Sequence, residues 1–198
     1  EIQLGRPKDG ARLLPLLRRH WGEKARFRKL RMYANPDSNN KMREYSQGEI
    51  ADFTVTQSEN ALRGSEDYRD IFITAPTGAG KSLLFQLPAL YLAQEHHAVT
   101  LVIEPLIALM RDQVNSLRQR GANNVVAINS DLTYGERQAA YERIGDGSAS
   151  ILYLSPELLL STSLKDILGN RQIALVVIDE VHTVTSWGQE FRPDYWYL

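Results

Sequence analysis

The sequence predicts an α/β fold: a doubly wound parallel sheet flanked by helices, preceded by a basic helical extension. Three observations carry this. Short apolar, β-branched runs alternate with stretches of helical periodicity between residues 71 and 178. A glycine-rich loop joins the first such run to the first helix, and the last run ends in two adjacent acids, Asp179 and Glu180. Strands buried on both faces and linked by helical crossovers pair in parallel. Ligands of such sheets sit beyond the carboxyl ends of the strands.

The expected strands cover residues 71–74, 99–103, 125–128, 150–154 and 174–178, and the expected helices 81–94, 106–120, 134–144 and 156–168. The pattern becomes globular from Phe53 onward. Before it, residues 11–33 mix Leu13, Leu14, Leu17, Trp21, Phe27 and Leu30 with Arg and Lys, which predicts one or two basic amphipathic helices interrupted at Pro15 and Gly22. Residues 35–48 are polar, with Pro36, Asp37, Ser38, Asn39 and Asn40 in a row, and predict a linker. The expected domains are therefore 1–48, a basic extension with its linker, and 49–198, the α/β body.

The 198 residues contain no cysteine, so disulfides and cysteine-held zinc are excluded within them. No apolar run of membrane-spanning length and no signal-peptide pattern occurs, which points away from a membrane partner and toward an intracellular setting. The net charge of −1 hides an asymmetry. Residues 1–34 hold ten Lys or Arg against three acids, and residues 35–198 hold thirteen against twenty-one. A basic arm beside a mildly acidic body follows, and such an arm reads either as a solvated face or as a surface that tracks phosphates. The chain starts without Met and stops inside an aromatic cluster, so a longer parent protein is expected.

The glycine loop is the first chemical motif. In Ala75-Pro76-Thr77-Gly78-Ala79-Gly80-Lys81-Ser82, backbone N–H groups and a helix N-terminus converge on one point, which suits a polyphosphate. Glycines let the backbone close on the phosphates, the Lys81 ammonium reaches the outer ones, and the Ser82 hydroxyl can ligate Mg²⁺. The second motif is Asp179-Glu180-Val181-His182 at the end of an aliphatic strand. Mg²⁺ beside a nucleotide needs hard oxygen ligands, so Asp179 is the expected metal partner. Glu180 is then the group that orients or deprotonates the attacking water, and His182 links the γ-phosphate site to a neighbouring domain. His20, His96 and His97 have no acidic or metal-like neighbourhood in the sequence and read as ordinary surface residues.

Asp179-Glu-Val-His182 resembles the DExH box of superfamily 2 helicases, in which alanine is usual where this chain has Ala75. Further stretches resemble the RecQ branch. Lys81-Ser-Leu-Leu-Phe-Gln-Leu-Pro-Ala-Leu90 is similar to its extended motif I, and Glu104-Pro-Leu-Ile-Ala-Leu-Met-Arg-Asp-Gln-Val114 to its motif Ia. Tyr153-Leu-Ser-Pro-Glu157 is similar to its Ser-Pro-Glu motif, and Ser186-Trp-Gly-Gln-Glu-Phe-Arg-Pro-Asp-Tyr195 to its aromatic-rich loop. Phe53-Thr-Val-Thr-Gln57 sits where the family has Phe-Arg-Pro-Gly-Gln, 24 residues before Lys81, with Thr54 and Val55 in place of Arg-Pro. Gln189 stands where the family has histidine.

The resemblance implies a RecA-like P-loop NTPase lobe binding ATP and Mg²⁺. Gln57 would read the adenine edge with Phe53 packed nearby, and Pro76 to Ser82 would cradle the phosphates. Pro105, Leu106, Arg111, Ser155 and Pro156 would lie along one DNA strand. Trp187, Phe191 and Arg192 would sense single-stranded DNA by stacking and by a phosphate contact. The implied activity is ATP-dependent DNA unwinding in repair and recombination, on single strands and duplex junctions, together with a second RecA-like lobe of the same polypeptide. Such a protein would be cytoplasmic or nucleoid-bound in a bacterium and nuclear in a eukaryote. A duplex translocase or RNA helicase on the same engine, or a non-catalytic nucleotide-binding lobe, are the alternatives. Alone, residues 1–198 are expected to hydrolyse ATP slowly.

Overall fold

A capping box starts the longest helix among the described residues. Ser46 Oγ accepts the Gly48 N–H at 3.1 Å, and Glu49 Oε2 accepts the Ser46 N–H at 2.6 Å, a pairing worth about 1 kcal/mol. The computed structural model describes residues 9–33, 42–74 and 78–180, the side chains of 160 and 161 excepted. Two compact units are present, Glu1–His96 and His97–Leu198.

In the first unit, a 3₁₀ turn at Ala11–Leu13 runs into helix α1, Leu14–Trp21. Strands β1, Lys29–Tyr33, and β2, Met42–Ser46, form an antiparallel pair that leads directly into α2, Gln47–Leu62. Helix α3 covers Leu83–His96. It is apolar nearly all round and buries Leu84, Leu87, Ala89, Leu90 and Leu92, as a helix enclosed by others must. Leu13, Leu16 and Leu17 are buried as well.

The described part of the extension is therefore packed rather than free. Arg12 fixes it: its guanidinium pairs with Asp52, donates to Glu59 Oε2 at 3.0 Å and Thr56 Oγ1 at 2.9 Å, and lies over the Tyr91 ring. Glu59 also meets His96 Nε2 at 3.1 Å. His96 is exposed, as expected of a surface residue, but the expectation that it has no acidic neighbour is corrected: Glu59 comes from a helix position 37 residues away in sequence.

Three further expectations fail in this unit. Residues 29–33 are strand, not basic helix, because all five pair in antiparallel register with Met42–Ser46. The expected linker at 35–48 contains β2 and the first residues of α2. Residues 71–74 are irregular and not the expected strand; no described strand supplies a ladder to them.

The second unit follows the sequence closely. Strands β3, Val99–Ile103, β4, Val125–Ile128, β5, Ile151–Leu154, and β6, Ile173–Ile178, form one parallel sheet in the order β4-β5-β3-β6. Helices α4, Ile107–Gln119, and α5, Tyr134–Gly145, are crossovers. The last helical stretch divides into α6, Pro156–Ser161, and α7, Leu164–Leu168. Val99, Leu101, Ile103, Leu152, Leu154 and Ile144 belong to one buried cluster. At the opposite end from the strand tips, Arg171 ties the sheet to α5 through Ile144 O, Ala149 O, Ser150 Oγ and His97 O.

Register fixes what the sheet presents. Ile103 pairs with Leu154 and with Ile178, and Ile128 pairs with Leu154. The next residue of each strand, Asn129, Ser155, Glu104 and Asp179, therefore falls in one row at the carboxyl edge.

Candidate functional site

The phosphate loop lies in the first unit. Gly78 and Gly80 have φ of 81° and 78°, a left-handed conformation that favours glycine. A β-carbon on Gly80 would also stand 2.7 Å from Gln47 Nε2. Beyond the loop, Leu83 N–H donates to Gly80 O and Gln86 N–H to Ser82 O. Among the described residues, no acceptor takes the backbone N–H groups of Gly80, Lys81 or Ser82. Unsatisfied donors at the head of a 14-residue helix form an anion cradle. Pro76 and Thr77 lie outside the described residues.

The glutamine beside this loop is Gln47, not Gln57. Gln47 is 3% exposed. Its backbone N–H donates to Arg28 O at 2.9 Å, its Oε1 accepts the Arg28 N–H at 3.0 Å, and its Nε2 lies 3.4 Å from both Ala79 O and Gly80 O. Gln57 sits ten residues further along α2, about 15 Å by helical rise, and its Oε1 accepts the Arg69 N–H at 2.8 Å. Phe53 is half-buried on the same helix.

The carboxylates lie in the second unit. Asp179 N–H donates to Ile103 O at 3.0 Å, which continues the β3–β6 ladder by one residue. Asp179 Oδ1 accepts the Glu180 N–H at 2.9 Å, and Oδ2 accepts Gln113 Nε2 at 3.2 Å. Gln113 Oε1 in turn accepts the Tyr153 hydroxyl at 3.0 Å. Glu180 has φ of +49°, an uncommon conformation for a residue with a β-carbon, of the kind that clusters at functional sites. His182 lies outside the described residues.

Glu104, next in the row, is fully buried. Its Oε1 accepts the Leu106 N–H at 2.9 Å, while Oε2 has no partner among the described residues. Burial pushes its carboxyl up to about 7; the Leu106 bond opposes this, and the charges of Asp179 and Glu180 add to it.

The residues expected along DNA divide by exposure. Leu106 is 52% exposed, and Arg111 is exposed with Nη2 at 2.8 Å from Asp131 Oδ2. Pro105 is half-buried. Ser155 and Pro156 are buried at the start of α6, where Ser155 N–H donates to Ile128 O. Their side chains offer little surface to a strand. Trp187, Phe191 and Arg192 lie outside the described residues, as does Gln189.

Residues 55–198 match the family described as DEAD/DEAH box helicase. The chain belongs to that family. It is 39% identical over 153 residues to an ATP-dependent DNA helicase RecQ of Synechocystis, covering 76% of the chain and 29% of the relative. It is 40% identical over 129 residues to the RecQ helicase of Pasteurella multocida, covering 64% of the chain and 19% of that protein. The chain thus spans under a third of the length of these relatives. Among solved structures, the DUF1998 helicase MrfA bound to DNA superposes with a TM-score of 0.53 over 80% of the chain and 21% of MrfA, at 22% identity. That likeness establishes the RecA-like fold.

Three residues of the chain carried no role in the sequence and acquire a place in the structure: Gln47, Glu104 and Gln113. Ser46-x-x-Glu49 is a capping-box signature; it marks a helix start at Gln47. Glu104 and Gln113 fall within the stretch similar to motif Ia but took no role from it, because burial and a bond across 66 residues decide what they do. Among the described residues, no helix is long and apolar enough to cross a membrane.

Proposed function

We propose that this chain is the ATP-binding lobe of a RecQ-type DNA helicase that couples Mg-ATP hydrolysis to movement along single-stranded DNA and to duplex separation. The observation that carries the reading is the run of N–H groups at Gly80, Lys81 and Ser82 on the head of α3 that no acceptor takes among the described residues. Three such donors with an adjacent ammonium fit the phosphates of a nucleotide. Ser82 and Asp179 suit Mg²⁺, which takes few protein oxygens and fills the rest of its shell with phosphate and water. When bound, the ion neutralises charge on the transferred phosphoryl group.

The remaining roles belong to this chain's own side chains. Lys81 holds the outer phosphates. Glu180 accepts a proton from, or orients, the attacking water. Gln47 takes the adenine-side place expected of Gln57, with Phe53 in its helix. Exposed Leu106 and Arg111, and the segment with His182, Trp187, Phe191 and Arg192, serve the DNA strand and its coupling to hydrolysis. A second RecA-like lobe completes the site with an arginine finger, an element worth several orders of magnitude in rate; movement is 3′ to 5′, as is common in the resembling branch.

The test uses the protein at its full natural length. Glu180→Gln is expected to bind ATP and single-stranded DNA normally while DNA-stimulated hydrolysis and strand displacement fall by orders of magnitude. Hydrolysis of ATP with no displacement of DNA or RNA strands indicates a duplex translocase. Retention of biological function by Glu180→Gln indicates a nucleotide-binding scaffold. Displacement of RNA but not DNA duplexes overturns the DNA assignment.

A further inference from the structure

An open groove of about 350 Å³ lies between α4, β4 and α5 in the second unit. Val114, Val126 and Ala140 line it, and Arg111, Arg118 and Arg143 stand along it. The three cations differ in what neutralises them. Arg111 has Asp131 at 2.8 Å. No carboxylate lies within ion-pair distance of Arg118 or Arg143 among the described residues. Each donates to a main-chain carbonyl near β4: Arg118 to Val125 O at 3.2 Å, and Arg143 to Asn123 O.

The acids nearby are engaged elsewhere. Glu136, which also lines the groove, accepts from Thr133 N–H and Oγ1. Asp146 accepts the Ser148 N–H and only feels the charge of Arg143. Arg118 loses basicity through burial and, next, through the charge of Arg143. Two guanidiniums that repel each other, each with one of five N–H donors assigned, make a place where an anion would turn repulsion into attraction.

We infer that this groove binds the phosphodiester backbone of a nucleic-acid strand, extending the track that begins at exposed Leu106 and Arg111. The inference rests on the DNA reading above. Arg111 and Arg118 are seven residues apart on α4, about 10 Å along the axis. A nucleic-acid strand carries a charge about every 3.4 Å of duplex length, so more than one phosphate falls within that span. With arginine and asparagine donors over an apolar floor, the groove reads charge and not base sequence.

The experiment is anisotropy of labelled oligo-dT and of a mixed-sequence strand with the full-length protein across a salt series. Wild type is compared with Arg118→Gln, Arg143→Gln, the double variant and the matching Lys variants. Each Gln variant is expected to weaken both strands equally and to reduce the slope of log affinity against log salt by about 1, the double by about 2. The Lys variants restore the slope, and DNA-free ATP hydrolysis is unchanged throughout. Wild-type binding with a slope untouched in the double Gln variant overturns this inference alone. So does equal loss in the Lys and Gln variants, which marks a purely structural role. So does a polyglutamate peptide whose binding, unlike that of DNA, depends on the two arginines. Absence of any single-strand binding by the wild type sinks the DNA reading and this inference with it.

Discussion

Gln113 Nε2 donates to Asp179 Oδ2 at 3.2 Å, so a helix following β3 holds the carboxylate that follows β6. The Tyr153 hydroxyl fixes the other end of the Gln113 amide at 3.0 Å and decides which way it points. A donor aimed at one carboxylate oxygen leaves the remaining lone pairs in a defined direction, as the outer partners of metal ligands do. Gln113→Leu is therefore expected to lower the ATP hydrolysis rate of the full-length protein about 10- to 100-fold and to raise the Mg²⁺ concentration for half-maximal rate. Unchanged Mg²⁺ dependence in that variant would show that Gln113 serves packing alone.

Arg12 joins the beginning of the chain to α2 through Asp52, Glu59 and Thr56. Burial alone would lower the guanidinium's pKa and raise that of Glu59. The hydrogen bonds and charges among Arg12, Asp52, Glu59 and His96 outweigh it in both, so Arg12 is held up and Glu59 down. Arg12→Met strands a buried Asp52 and is expected to cost about 3 kcal/mol in a urea melt. Arg12→Lys recovers only part of this, because a point charge cannot span three acceptors. Because Glu59 is depressed when folded, its contribution is present above its unfolded value of 4.5 and is lost as pH falls. That acid-side loss should shrink in Arg12→Met.

Glu104 predicts the opposite pH limb. Its carboxyl is raised from 4.5 to about 7, so the folded state binds the extra proton between those values. Stability from this group is full below 4.5 and is lost as pH rises through 7, a loss on the order of 2–3 kcal/mol. Glu104→Gln, which keeps the neutral shape, should be insensitive to pH in that window. Parallel melts of both proteins at pH 5 and pH 8 measure it, and an equal pH 5 to pH 8 difference in the two would exclude Glu104 as the source.

The second unit was legible because its signals are local. Val99–Ile103 and Ile151–Leu154 are runs buried along their whole length, and Thr133 with Glu136 caps α5. The first unit was not, because its structure depends on distant partners. Helix α2 buries Asp52, Thr54 and Ser58 among its few apolar residues, so no apolar stripe announces it; Arg12, forty residues upstream, satisfies its acids. The alternation Lys29-Leu30-Arg31-Met32-Tyr33 carries helical and strand periods equally well in five residues, and only pairing with β2 decides it. The same blindness displaced the glutamine. An interval to Lys81 pointed to Gln57, whereas the helix start set by Ser46 and Glu49 brings Gln47 to the loop.

That displacement is open to direct measurement. Gln47 Nε2 approaches the carbonyls of Ala79 and Gly80 only at 3.4 Å, long for a hydrogen bond, so the amide gives them up cheaply to a better partner. An adenine offers one donor and one acceptor to a glutamine amide and a guanine offers a different pair, so a glutamine that reads the base discriminates ATP from GTP. Gln47→Ala is expected to weaken ATP binding about tenfold, the worth of roughly one well-formed hydrogen bond, and to bring ATP and GTP affinities together. Gln57→Ala, which removes a bond to the Arg69 N–H, should leave the ATP preference intact. A merely structural Gln47 would change thermal stability without touching the nucleotide preference. Loss of that preference in Gln57→Ala with its retention in Gln47→Ala would return the adenine-reading role to the second half of α2.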